Sequence, residues 1–181
     1  MEVADQIVVM DRGRIAQIGS VETVYEKPAS PFVFEFLGNA NVVPVEVRGC
    51  EVYLPGNTTP LVTDAIHESG KGALYVRPID LRVGTPEQPG LEVIVDEVLR
   101  TGPLVHADAR VVATGDRVQI EIPHLHHDTP SFVPGARFQL RLLQFSVYPS
   151  AAEAGPATGH DAIGVAATRQ RSKDRLRDSA R

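Results

Sequence analysis

The chain has 181 residues, 43% of them hydrophobic and 23% charged, with 6% aromatic and no Trp, so it can bury a core and reads as one soluble globular domain with room for an appendage. Its charge is unevenly spread: residues 1–150 carry 12 Lys/Arg against 19 Asp/Glu, and residues 151–181 carry 6 against 4, and an acidic body argues against a nucleic-acid partner, whose phosphates need clustered cations. The single Cys50 forbids an intramolecular disulfide, no apolar run approaches the roughly 20 residues of a bilayer span, and the acidic start is not that of a signal peptide, which together predict a cytoplasmic protein.

Ile7–Met10 and Ile15–Ile18 are short apolar runs around Asp11-Arg12-Gly13-Arg14, and Gly13 can take positive φ without a Cβ penalty. They predict a β-hairpin. Two short helices follow. Ser20 caps the first, Glu22 suits the positive end of its dipole and Pro28 stops it. Ser30-Pro31 is a cap followed by proline at the first helical position. Phe32, Val33, Phe36 and Leu37 then fall on one face, and Gly38 can close the end. That greasy pair is too small to fold alone and must rest on something else.

From Val42 to Tyr148 the pattern is β. Val43, Val45 and Val47 alternate, with Pro44 marking an edge or a bulge. Ala73–Val76 is a second strand and Leu91–Leu99 a longer third. Val105–Val111 alternates cleanly, apolar at odd positions, and Val118–Ile122 repeats the pattern after the Thr114-Gly115-Asp116 turn. Phe138, Leu140 and Leu142 alternate, but Leu143, Phe145 and Val147 continue in the opposite phase, which predicts a bulge near Leu142–Leu143. Many short strands with glycine turns imply a small closed or nearly closed barrel. Residues 150–168 are rich in Ala, Gly, Ser and Thr, and residues 169–181 are strongly basic with Leu176 as the lone large apolar group. Such a segment predicts a disordered basic tail.

The run over residues 4–43 resembles the stretch that follows the switch histidine in ABC-importer ATPases. The matching positions are Asp11, Arg12, Gly13, Ile15, Gln17, Gly19, Tyr25, Pro28, Phe32, Val33, Phe36, Leu37, Gly38 and Asn41. Leu74–Leu81, containing Val76-Arg77-Pro78-Ile79-Asp80, looks like part of the TOBE-type regulatory barrel of these ATPases. Residues 135–150 look like the closing strands of the sulfate/thiosulfate subgroup. The resemblance covers roughly residues 1–149 and implies two parts, the end of a nucleotide-binding domain over 1–38 and a TOBE-like β domain over 39–149; the disordered basic tail over 150–181, read from composition, follows them. The fold expected is therefore mainly β, an OB/TOBE-like barrel preceded by a hairpin and two short helices.

In that family every ATP-handling motif precedes this segment, so Met1 reads as an internal methionine of a longer parent or the start of a truncated frame. The resemblance implies a regulatory and dimerisation portion whose parent uses ATP and Mg²⁺. Its implied partners are a second ATPase subunit, membrane permeases and a possible oxyanion effector, on the inner face of the membrane. No cofactor, catalytic residue or metal site is expected in this chain itself. The alternative is a free-standing module that binds sulfate- or molybdate-like oxyanions. An OB-type nucleic-acid binder conflicts with the acidic body and the scarcity of stacking aromatics.

Several motifs invite chemistry and favour plainer readings. Gly70-Lys71 lacks the glycine and hydroxyl residue that a phosphate loop needs at positions 65 and 72, where Ala and Gly stand; an ordinary turn is expected. Asp96-Glu97 after an apolar run imitates a catalytic strand end, but Glu92 breaks the run and no phosphate cradle accompanies it, so an exposed strand end is expected. His124, His126, His127 and Asp128 could suit Zn²⁺ or Ni²⁺, yet adjacent strand residues point apart, and Pro123 and Pro130 bracket a solvated loop. Cys50, after Gly49 in an expected turn, reads as a passive thiol. Arg77, fixed by Pro78 at a strand end, reads as a structural clamp on a carboxylate or carbonyl, and is the one candidate for an anion contact.

Overall fold

The computed structural model of the chain describes residues 5–123 and 132–149, and for residues 64–67 the backbone only. The expected histidine loop (His124, His126, His127, Asp128) and the expected tail over 150–181 lie outside the described residues.

Strands β1 (Ile7–Asp11) and β2 (Arg14–Gly19) form the expected hairpin. Arg12 and Gly13 both have positive φ, 47° and 78°, the two-residue turn whose twist matches that of paired strands. Helix α1 (Val21–Glu26) is capped by Ser20, whose Oγ accepts from the Thr23 N–H at 3.1 Å, and α2 (Pro31–Phe36) by Ser30, whose Oγ accepts from the Val33 N–H at 3.3 Å. The buried face of α2 differs from the one expected. Val33 joins Val9 and Val24 under the hairpin, while Phe34 faces the other way into Tyr75 and Tyr148. Helix α2 is wedged between two bodies and buries two sides, so Phe36 remains 64% exposed and stacks on Phe32 at 6.0 Å.

The remainder is antiparallel β. β3 (Asn41–Tyr53) and β4 (Leu61–Val76) are long partners, joined by β10 (Ser146–Pro149) in a sheet of order β10-β4-β3. A 3-10 turn (Pro78–Asp80) leads to β5 (Leu81–Val83), then β6 (Leu91–Thr101), β7 (Leu104–Val111), β8 (Arg117–Pro123) and β9 (Arg137–Leu142). These five form a sheet of order β5-β9-β6-β7-β8 whose edges, β5 and β8, approach each other without laddering. One core runs between both sheets, from Val43, Val45 and Leu74 to Leu91, Ile120, Leu140 and Leu142. The expected mainly-β fold with a hairpin and two short helices is what forms.

Four local expectations are corrected. Gly70-Lys71 is not a turn: both lie within β4 opposite Val47 and Glu46, because the β3–β4 reversal falls at residues 54–60. Gly49-Cys50 is likewise inside β3, at a shift of register where Gly49 has φ 63°; a bulge absorbs the glycine without ending the strand. Asp96-Glu97 is not a strand end but an irregularity in the middle of β6. The phase switch at Leu142–Leu143 is not a bulge in one strand. There the chain leaves β9 and crosses to the other sheet as β10, the Leu143 N–H donating to the Asp80 carbonyl at 2.8 Å.

Candidate functional site

Arg77 sits between the last residue of β4 and the 3-10 turn, in extended conformation, and is only 5% exposed. Its guanidinium carbon lies 4.1 Å from the Tyr25 ring centroid on α1 and 4.5 Å from that of Phe34 on α2. The side chain therefore reaches from the β domain into the helical pair. The expected carboxylate or carbonyl clamp is replaced by an aromatic one: Arg77 makes no ion pair among the described residues, and its Nη2 is buried without a hydrogen-bond partner. Asp80 acts on it only from a distance; burial raises the Asp80 carboxyl, and the charges of Arg77 and Arg82 oppose that rise. Gly38, just past α2, leaves room, since a Cβ there would stand 3.4 Å from Nη1. A desolvated cation–π contact gives about 2 kcal/mol, and an unmet buried donor costs about 1–3 kcal/mol. The two nearly cancel, so this arginine orients the helices more than it stabilises them.

Around it runs a chain of rings. Phe34 lies 5.6 Å from Tyr75, and Tyr75 lies 5.2 Å from Tyr148 in an edge-to-face pair, geometries that ring quadrupoles favour. The buried Tyr148 hydroxyl donates to the Pro28 carbonyl at 2.8 Å, and Gln144 Nε2 donates to the Glu26 carbonyl at 3.4 Å. Burial, above all, pushes the Tyr148 phenol up to about 12. Tyr75 is raised too, first by burial and then by the charge of Glu35. A further tie comes from Asn41: its Nδ2 donates to the Gln119 carbonyl and its Oδ1 accepts from the Gln119 N–H, each at 2.7 Å. The side-chain amide thus pairs with edge strand β8 as an added strand would. Tyr148 and Gln144 carried no signal as site residues in the sequence; Asn41 did, standing on the inward phase of Val43, Val45 and Val47.

The remaining candidates do not converge on this junction. Lys71 is exposed on β4. Asp96 is held by Arg110, with Nη2 to Oδ1 at 2.8 Å. Cys50 is half-buried and free. Among the described residues no group of His, Cys, Asp and Glu is arranged to hold a metal, and no helix is long and apolar enough to cross a membrane.

No family model matches the chain. It is 30% identical over 150 residues to a sulfate/thiosulfate import ATP-binding protein CysA of Xanthomonas campestris, an alignment covering 83% of this chain and 42% of that protein. It is 43% identical over 123 residues to the protein of the same name from Rhodopseudomonas palustris, covering 67% of this chain and 35% of the relative. The Nitrosomonas europaea protein of that name is 39% identical over 110 residues. The chain spans less than half the length of these curated relatives.

Proposed function

From the premise that this chain is homologous to a portion of the sulfate/thiosulfate import ATP-binding proteins, we propose that it is the regulatory and dimerisation portion of such a subunit in an ABC importer. The similarity across 83% of the chain carries this reading. In the parent, ATP and Mg²⁺ are handled by other segments, and a second ATPase copy and membrane permeases complete a complex on the inner membrane face. The β domain biases the two-state cycle of the nucleotide domains through its attachment to the hairpin and helices. Such bias requires an effector or partner that contacts the two states differently. The junction around Arg77, Tyr75 and Tyr148 supports the coupling step, because a shift of the β domain pulls directly on α1 and α2.

Two measurements test it. The purified chain incubated with MgATP should release no phosphate above a heat-denatured control, and sedimentation velocity should show a concentration-dependent monomer–dimer equilibrium. Turnover of ATP by the pure chain would overturn the assignment. Micromolar calorimetric binding of sulfate, thiosulfate or molybdate would instead establish a free-standing oxyanion module.

A further inference from the structure

On the outer face of β6, β7 and β8 the ladders set two rows of side chains next to each other. Glu97 stands opposite Asp108, which stands opposite Gln119; in the neighbouring row Leu99 faces His106, which faces Glu121. With Asn39 they enclose a cleft of about 330 Å³. Glu97 and Asp108 are like charges directly opposed, which destabilises an antiparallel pair. Neither has a cationic partner among the described residues: Asp108 accepts one 3.4 Å bond from Gln119, and Glu97 makes no contact of that kind. Other carboxylates of the same face are matched, Asp96 by Arg110 and Glu92 by Arg137. Leu99, 62% exposed, adds an apolar surface beside the unmatched charges.

We propose that this cleft is a docking site for the basic C-terminal segment of the same chain, residues 169–181. That segment holds 6 Lys/Arg against Asp174 and Asp178, and it places Leu176 between Arg175 and Arg177. Arg175 and Arg177 beside Leu176 complement Glu97 and Asp108, which stand together in the row next to the exposed Leu99, and Arg–carboxylate pairs favour two parallel hydrogen bonds. Reach is no obstacle. The described chain ends at Pro149 in β10, and residues 150–168 can extend up to roughly 60 Å, against a radius of gyration of roughly 15 Å for a body of this size. Exposed ion pairs are worth only about 0.2–1 kcal/mol each, but tethering makes the encounter intramolecular, so a few of them suffice.

Lys173 is the only lysine in the segment, which makes zero-length carbodiimide coupling of the full chain a direct test. At low salt, peptide mapping of the monomer should find Lys173 joined to Glu97, Asp108 or Glu121. Yield should fall several-fold in 0.5 M NaCl, where screening shortens to a few ångströms. Arg175→Glu combined with Arg177→Glu, which leaves the β domain untouched, should lower it equally; Glu97→Gln should weaken links to Asp108 and Glu121. Links spread over Glu46, Glu51 and Glu87 according to exposure would overturn the proposal. So would links confined to covalent dimers, or a yield indifferent to salt.

Discussion

Arg77 and Tyr148 hold the helical pair by different means, and substitution separates them. Arg77 serves no carboxylate among the described residues, so its positive charge is dispensable in a way that its bulk is not. Arg77→Leu should therefore cost less stability than Arg77→Ala, which leaves a cavity between Tyr25 and Phe34 worth about 2 kcal/mol or more; urea unfolding of both variants decides. Tyr148→Phe removes the donor to Pro28 and strands a buried carbonyl, an expected loss of about 1–3 kcal/mol. The same phenol gives a pH signature. Its folded value, about 12, lies above the ordinary 10 of an unfolded tyrosine. Its contribution is thus complete below pH 10 and is lost as pH rises toward 12. The alkaline unfolding midpoint of Tyr148→Phe should be less steep in pH than that of the parent, read by tyrosinate absorbance alongside circular dichroism.

At the scale of elements, the strands that were legible in the sequence are those with one wet and one dry face. Val105–Val111 and Val118–Ile122 alternate because β7 and β8 bury one side only. The full length of β4 was not legible: polar residues and two glycines occupy its middle, and pairing with β3 on one side and β10 on the other carries it through. Glycine there permits close approach; a Cβ on Gly72 would stand 3.0 Å from the Tyr148 carbonyl. The crossing from β9 to β10 was hidden for a related reason, since the two strands share a core and their opposed phases read as one kinked strand. As for the site, Arg77 was visible as a constrained arginine, but its aromatic partners come from α1 and α2, more than forty positions away, where local patterning carries no information. Gly90 provides a sharper test of the packing. A Cβ there would fall on the Leu140 carbonyl, so Gly90→Ala should lower the thermal midpoint by several degrees while Gly102→Ala, with open space at its turn, loses only what its positive φ imposes.

Taken whole, the molecule is unevenly covered. The β domain has a deep shared core, whereas among the described residues the hairpin rests on three buried valines, Val9, Val24 and Val33. Its other face leaves the paired residues Val8 and Ile18, and Met10 and Ile15, each more than half exposed. Strands apolar on both faces are the mark of a sheet buried on both sides, which accords with the proposed place of this segment in a larger nucleotide-binding domain. The purified chain should accordingly bind a hydrophobic dye at that face, and Ile15→Lys should reduce both the dye signal and self-association without lowering the unfolding midpoint.

The crossing strand β10 has a consequence for how the protein is made. Its residues pair with Ala73 and Leu74 and its tyrosine closes on Pro28, so segments synthesised early wait for one synthesised late. While a ribosome is still extending the chain, β4 has a vacant edge and the helices have no hydroxyl to hold them. A nascent chain halted before Ser146 should therefore be cut readily by protease at the α1–α2 turn, and one released past Pro149 should resist.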